Sequence, residues 1–278
     1  MNKIHKNKKK LSKKNVPFFK PQLLEEDKKA VLNSLNSSML TNGPVMDEFE
    51  KKFAKFTKSK YAIAVSNATS ALHLSLMSLG IGRGDEVIIP DLTFIATANA
   101  VLMTGAAPVL VDVEPKNFQI SIDSIQKSVT KKTKAILPVH LYGKSCDMNS
   151  IQKIAKKNNL KIIEDCAHAI GTKYKNKHVG TFGDSGCFSF YPSKNITTLE
   201  GGMIITNSKK LNENLRMGRN HGINRTLKDR YSSKYPWEYD IKQYGYNYRL
   251  DEIRSTLGIN QLKRINKIND SRRKAFKY

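Results

Sequence analysis

The chain has 278 residues, 48 of them Lys or Arg and 24 of them Asp or Glu, which gives a formal net charge of +24. This length is enough to bury a full core in one large domain or in two smaller ones. The sequence has no apolar run of transmembrane length, no zinc-finger spacing and no aromatic RNA-binding motif, which disfavours a membrane protein and a specific nucleic-acid binder.

The positive charge is concentrated towards the ends of the chain. Seven of the first fourteen residues are Lys, with no acid among them, and we expect residues 1–15 to form a disordered basic tail. A basic nucleic-acid binder is the alternative interpretation of this charge.

The cysteines indicate the cellular compartment. Cys146, Cys166 and Cys187 are odd in number and form no Cys-x-x-Cys pair, which is typical of buried free thiols in a reducing compartment. The basic N-terminus lacks the apolar segment of a secretory signal. We therefore expect a cytoplasmic protein with no membrane partner.

Hydrophobic spacing predicts an alternation of helices and strands after an extended entry at 17–21. Helices are predicted at 22–37, 45–57, 72–79, 95–104, 120–128 and 149–158, and strands at 61–65, 86–90, 107–111, 133–141 and 161–165. This order predicts an α/β fold whose sheet is largely parallel.

Small and hydroxyl residues follow the first strand and open a helix. The turn 66–71 contains Thr69 and Ser70. Backbone N–H groups at the positive end of a helix bind anions, so this turn is a candidate anion site. An ordinary N-cap is the alternative interpretation of the same residues.

An aromatic residue, Phe94, follows the strand at 86–90. Its ring could stack on a planar ligand at the carboxyl end of the sheet. A core aromatic is the alternative interpretation of Phe94.

The strand at 161–165 ends in an acid. Asp165 is placed where open α/β sheets bind ligands, and His168 lies in the small-residue turn that follows. A carboxylate there can keep a heterocyclic nitrogen protonated. A helix N-cap is the alternative interpretation of Asp165.

A lysine lies between two apolar strands about thirty residues further on. Lys194 follows a strand at 187–191 that Pro192 ends, and a second strand begins near Met203. A desolvated lysine has a lowered pKa and can form a Schiff base with an aldehyde cofactor. A lysine on a surface turn is the alternative interpretation of Lys194. A pyridoxal phosphate site typically has an Asp at the end of one strand and, further along the chain, a Lys on the turn after another strand.

The rest of the chain is less regular. Helices are predicted at 211–220 and from about 245 to 262, separated by a polar loop at 226–239. Asn247 is a polar residue flanked by aromatics in front of the last helix. An exposed loop or a helix cap is the ordinary interpretation of Asn247.

The run from Phe188 to Gly202, FSFYPSKNITTLEGG, resembles the cofactor-lysine motif of the DegT/DnrJ/EryC1/StrS family of pyridoxal-phosphate sugar aminotransferases. The likeness extends over several motifs from about Val16 to the C-terminus. It implies an aspartate-aminotransferase-like large domain of fold type I at 16–258, with a mostly parallel sheet between helices. It also implies that 259–278 begin a small domain that is largely missing from this truncated chain.

The resemblance assigns roles to the candidate residues. It implies that Lys194 holds the cofactor pyridoxal 5′-phosphate, that Asp165 binds its ring nitrogen and that His168 lies beside its ring oxygen. Phe94 is expected to stack on the ring. The phosphate is expected to contact Thr69, Ser70, Ser189 and, from the partner subunit of a homodimer, Asn247.

The expected reaction is transfer of an amino group from glutamate to a keto group of a nucleotide-linked deoxysugar, for polysaccharide or glycan biosynthesis. One alternative is an inactive or split-gene fragment of such an enzyme. A sugar dehydratase of the same fold is another alternative. Because a histidine replaces the cofactor lysine in those dehydratases, Lys194 argues against it.

Overall fold

The computed structural model describes residues 17, 19–225, 229–230 and 232–277. The predicted basic tail at 1–15 and part of the loop at 226–239 lie outside the described residues. The helices are α1 (Glu25–Ser34), α2 (Pro44–Thr57), α3 (Ala68–Ser78), α4 (Ala96–Met103), α5 (Ile122–Ser128), α6 (Met148–Asn158), α7 (Lys209–Arg219), α8 (Glu252–Lys263) and α9 (Ile265–Phe276). The strands are β1 (Tyr61–Val65), β2 (Glu86–Pro90), β3 (Ala107–Val111), β4 (Thr133–Ile136), β5 (Lys161–Asp165), β6 (Lys173–Tyr174), β7 (Lys177–His178), β8 (Ser185–Ser189) and β9 (Gly202–Thr206).

Seven strands form one twisted sheet in the order β1-β9-β8-β5-β4-β2-β3. All neighbouring pairs are parallel except those that β9 makes with β1 and β8. The prediction of an α/β fold with a largely parallel sheet is therefore confirmed. The short hairpin of β6 and β7 stands apart from this sheet and was not predicted.

Helices cover both faces of the sheet, because side chains alternate along each strand. Ile63 and Val65 of β1 join the core cluster that contains α3, α4 and α7. Ala62 and Ala64 join the cluster beneath α2 and α8, where Phe53 lies 5.1 Å from Phe188 between ring centroids. In the part of the chain that the structure describes, no helix is long and apolar enough to cross a lipid bilayer.

The predicted strand at 133–141 is too long. The regular strand ends at Ile136, and Leu141–Gly143 form a 3-10 turn. Pro138 cannot donate to a neighbouring strand, although its carbonyl still accepts from Asp165 N. The last predicted helix also begins later, at Glu252, because Asp251 accepts from the Arg254 N–H as its N-cap.

Glu164 is the central acceptor of a buried hydrogen-bond network on one face of the sheet. Its side chain is fully buried, and Oε1 accepts from the N–H groups of Phe182 and Gly183, each at 2.7 Å. Oε2 accepts from Gly180 N at 2.7 Å and from His140 Nε2 at 3.0 Å. Because His140 Nδ1 accepts from Cys146 N at 3.1 Å, the His140 proton is assigned to Nε2. The network fixes the 180–183 loop and His140 against β5.

We expect Glu164→Gln to lower the free energy of unfolding by about 3 kcal/mol, since its NH2 group would face buried donors in place of an accepting oxygen. Urea unfolding followed by circular dichroism measures the loss. Glu213→Gln, which changes an exposed residue of α7, should alter the free energy by less than about 0.5 kcal/mol. Equal losses of unfolding free energy in the two variants would contradict the role of Glu164 as the acceptor in this network.

Candidate active site

The candidate site lies where three parallel strands end and β9 begins. Gly202, the first residue of β9, pairs with Val65 at the end of β1 and with Ser189 at the end of β8. The neighbouring strand β5 ends at Asp165. This edge is the one at which open α/β sheets bind ligands.

Asp165 is held rigidly at the end of β5. Its carboxylate is 6% exposed, and Oδ2 accepts from Thr97 Oγ1 at 3.1 Å while Oδ1 accepts from Ala167 N at 3.0 Å. No regular helix occurs at 166–171, so the alternative of a helix N-cap is wrong. The buried Thr97 was missed from the sequence. Its signal was a second threonine one helical turn after Thr93, whose hydroxyl lies 2.7 Å from its own.

The Lys194 amine is half-buried and close enough to Asp165 for their charges to interact. Its backbone forms a turn, with Lys194 N donating to Tyr191 O at 2.9 Å, but its side chain is not a solvated surface charge. Burial lowers the pKa of Lys194, and the negative charge of Asp165 acts in the opposite direction. Among the described residues Lys194 forms no salt bridge.

His168 lies next to the same amine. Burial lowers the pKa of His168, and the positive charge of Lys194 lowers it further, so the imidazole is neutral near pH 7. Tyr142 N approaches Nδ1 at 3.4 Å as a donor, which assigns the His168 proton to Nε2. The Tyr142 ring stacks on the imidazole at 5.8 Å between centroids, so this exposed tyrosine also belongs to the site.

The first turn of α3 lies beside Gly202. The N-cap is Asn67, whose side chain accepts from Ser70 N at 2.8 Å. The Ser70 hydroxyl lies 3.1 Å from that of Ser66. A Cβ at Gly202 would lie 2.6 Å from the Asn67 backbone, so only glycine fits there. The N–H groups of Ala68 and Thr69 have no intrahelical acceptor and remain available to an anion.

Two predicted site residues are exposed at the surface of this chain. Phe94 is 72% exposed, so it is not a core aromatic. Asn247 is exposed, and its Oδ1 accepts from Arg249 Nε at 2.8 Å. Neither residue lines the cavity that contains Lys194 and His168, and four other predicted site residues do not line it either: Asp165, Thr69, Ser70 and Ser189.

A cavity of about 520 Å³ opens above Lys194 and His168. The sequence did not indicate its other walls, which come from distant parts of the chain. They are Phe19–Gln22, Tyr142, the turn 192–195, Thr197, Gln261 and the α9 residues Ile268, Ser271 and Arg272.

Comparison with known proteins gives a family match over most of the chain. The model of the DegT/DnrJ/EryC1/StrS aminotransferase family matches residues 21–278. GDP-perosamine synthase of Escherichia coli O157:H7 is 45% identical over 250 residues, which cover 90% of this chain and 66% of that protein.

Two solved structures are also similar. Helicobacter pylori PseC, an aminotransferase involved in the biosynthesis of pseudoaminic acid, is 38% identical with a TM-score of 0.82, covering 90% of this chain and 66% of that one. The PLP-form of the Streptococcus pneumoniae putative sugar aminotransferase Spr1654 is 31% identical with a TM-score of 0.84, covering 91% and 67%. The chain spans 64% of the length of other curated relatives that it matches.

We expect Asp165→Asn to lower the pKa of Lys194 further, because the lost charge is the one that opposes the effect of burial. The pH dependence of Lys194 acylation, followed by peptide mass spectrometry, should therefore move to lower pH. Asp123→Asn, at an exposed position of α5, should leave it unchanged. A midpoint that stays in place or rises in Asp165→Asn would contradict the electrostatic coupling.

Proposed function

The chain belongs to the DegT/DnrJ/EryC1/StrS aminotransferase family, and on this basis we propose that it transfers an amino group to a keto-sugar with the aid of pyridoxal phosphate. The observation that carries the proposal is that Lys194 and His168 line a cavity of about 520 Å³ while the charge of the buried Asp165 acts on both of them. A half-buried amine with a lowered pKa is suited to act as nucleophile and base.

The residues at the site fit this cofactor. Asp165 offers a buried, oriented carboxylate to a protonated ring nitrogen, and His168 offers an Nε2–H donor to a ring oxygen. The first turn of α3, with Thr69 and Ser70, offers N–H and hydroxyl donors to a phosphate, and Ser189 lies next to Gly202 on the adjoining strand. The missing side chain of Gly202 leaves the approach to this turn open.

The chain's own residues would divide the work between binding and proton transfer. When bound, pyridoxal phosphate supplies an electron sink for breaking a C–H bond next to an amino group. Lys194 Nζ takes that proton and returns it as general base and acid. Asp165 would hold the positive ring nitrogen in place, and Thr97 orients the Asp165 carboxylate by donating a hydrogen bond to Oδ2.

We propose glutamate as the amino donor and a nucleotide-linked keto-sugar as the acceptor. The names of the similar GDP-perosamine synthase and PseC support an amino-sugar pathway. The three cysteines are free and buried, which supports a reducing compartment such as the cytoplasm. We also propose that residues 16–258 form the cofactor-binding domain and that 259–278 begin a second domain.

The proposal includes a homodimer. Phe94, Ile95, Leu102 and Met103 of α4 and its approach are each at least 50% exposed, and an apolar surface of this kind supports burial against a second copy. Asn247 is also exposed, so it is available to the partner's phosphate site. An inactive fragment is the competing proposal, whereas the presence of Lys194 disfavours a dehydratase.

The direct test uses purified protein, pyridoxal phosphate, L-glutamate and a panel of UDP-, GDP- and dTDP-linked keto-sugars. We expect an amino-sugar product by mass spectrometry, and we expect Lys194→Ala to reduce its rate by about a thousandfold or more. Borohydride reduction should attach the cofactor mass to Lys194 alone. Lys209→Ala, at an exposed position of α7, serves as the control. Labelling elsewhere, or turnover by Lys194→Ala, would overturn the proposal.

Mixing experiments test the role of Asn247. We expect Lys194→Ala and Asn247→Ala to be inactive alone and to recover about a quarter of the activity after mixing, because half of the dimers are then mixed and each has one intact site. Activity of the remixed dimers is the measurement. Mixing Lys194→Ala with Asp165→Asn should restore nothing, since both residues belong to one subunit's site. Failure of the first mixture alone would show that Asn247 does not act across the dimer.

A further inference from the structure

The cavity above Lys194 has a cationic lining. Lys20, Lys194 and Arg272 line it, and no acidic residue does. Within the described residues, neither Lys20 nor Arg272 takes part in a salt bridge, although the chain has such pairs elsewhere on α9, as between Arg273 and Asp270. Cations left without acidic partners around a cavity are suited to an anionic ligand.

Arg272, an exposed residue of α9, contacts the backbone of the reactive lysine. Its NH2 group donates to the Lys194 backbone carbonyl at 3.3 Å. This contact places one guanidinium beside the turn that carries the amine, while the other guanidinium nitrogens stay available for a ligand. An anion bound there would lie next to the reacting group.

Lys20 belongs to an entry segment, Phe19–Gln22, that is anchored to the far end of the chain. The Gln22 carbonyl accepts from Gln261 Nε2 at 3.0 Å and from Arg264 Nη2 at 3.5 Å. Arg264 in turn donates to both oxygens of Asp27, at 2.9 and 2.7 Å, and Asp27 is 1% exposed. These hydrogen bonds form an anchor that joins α1, α8 and the entry segment and holds one wall of the cavity in place.

Aromatic rings border the same cavity. Tyr142 is 84% exposed, and Phe19 contacts Tyr191 at 6.4 Å between centroids. Flat exposed rings beside cations are suited to a nucleotide, whose base stacks and whose phosphates pair with Lys and Arg. A dicarboxylate such as the amino donor shares the negative charge but not the flat ring.

We propose that Lys20 and Arg272 form the subsite for the diphosphate of a nucleotide-linked substrate, and that the Asp27–Arg264 pair is the positioning element for this subsite. The inference rests on the proposed function and names the part of the site that binds the nucleotide. Arg264 does not line the cavity and acts through the entry segment.

Calorimetric titration of the full chain with GDP and with UDP tests the subsite. We expect Lys20→Gln and Arg272→Gln each to weaken binding of at least one of the two nucleotides by about tenfold or more, as lost charge-assisted hydrogen bonds do. Lys29→Gln on α1 and Arg273→Gln on α9 are the matched controls and should change the Kd less than about twofold. No binding of either nucleotide by the parent chain, or equal binding by all five proteins, would overturn the subsite.

A parallel titration with glutarate separates the two sources of negative charge. Glutarate binding that depends on Lys20 and Arg272 while nucleotide binding does not would assign the subsite to the amino donor and overturn the proposal. Arg264→Gln should weaken nucleotide binding about threefold or more, with borohydride trapping of the cofactor on Lys194 unchanged. Unchanged nucleotide binding in Arg264→Gln would remove the positioning role.

The trapping measurement also keeps this inference separate from the proposed function. If Lys194 traps the cofactor and the nucleotide titrations fail, the subsite is wrong and the aminotransferase proposal stands. If the parent chain does not trap the cofactor on Lys194, the aminotransferase proposal itself fails.

Discussion

Two adjacent carboxylates at the end of β5 point to opposite faces of the sheet, and the site depends on this arrangement. Glu164 is fully buried and accepts four hydrogen bonds, three from the 180–183 loop and one from His140. Asp165 takes only two, from Thr97 and Ala167. A buried carboxylate is stable only when donors replace its water shell, so Glu164 forces the loop and His140 into place around it. This network fixes the end of β5, and Asp165 lies at that end, on the side of the candidate site.

The lowered pKa of Lys194 follows from the burial of its amine. A net charge of +24 would by itself disfavour a cluster of cations, yet Lys194, Lys20 and Arg272 all line one cavity without an acidic residue among its lining. Asp165 is not part of this lining, and its negative charge limits the fall in the pKa of Lys194 that burial causes. The result is an amine that loses its proton more readily than a surface lysine while keeping a nearby negative charge as a partner for a cationic ring.

The cavity is assembled from segments that are far apart in sequence. The Gln22 carbonyl meets Gln261 and Arg264 across more than two hundred residues, and Asp27 closes the same anchor. The turn with Tyr142 reaches the cavity through its stack on His168. The hydrogen bonds at Gln22 and Asp27 satisfy polar groups that would otherwise be left unpaired, which helps to keep these remote segments together.

The local pattern of apolar and turn residues determined the secondary-structure elements of this protein. The strands at 61–65, 86–90, 107–111 and 161–165 have the predicted bounds, because short apolar runs between turn residues leave little choice of conformation. The same pattern placed Thr69, Ser70, Asp165, His168 and Lys194 at the ends of elements, and their motifs indicated the family. The predicted strand at 133–141 was too long, because Pro138 carries no N–H and interrupts the pairing.

Tertiary structure alone decided which of these ends meet and what surrounds them. The glycine contact of Gly202 with Asn67 and the anchored entry segment both depend on packing between elements whose spacing in sequence carries no trace of it. Periodicity reports which face of an element is apolar, but not which element covers that face. The sequence could therefore supply the candidate residues of the site, whereas it could not supply the walls of the cavity.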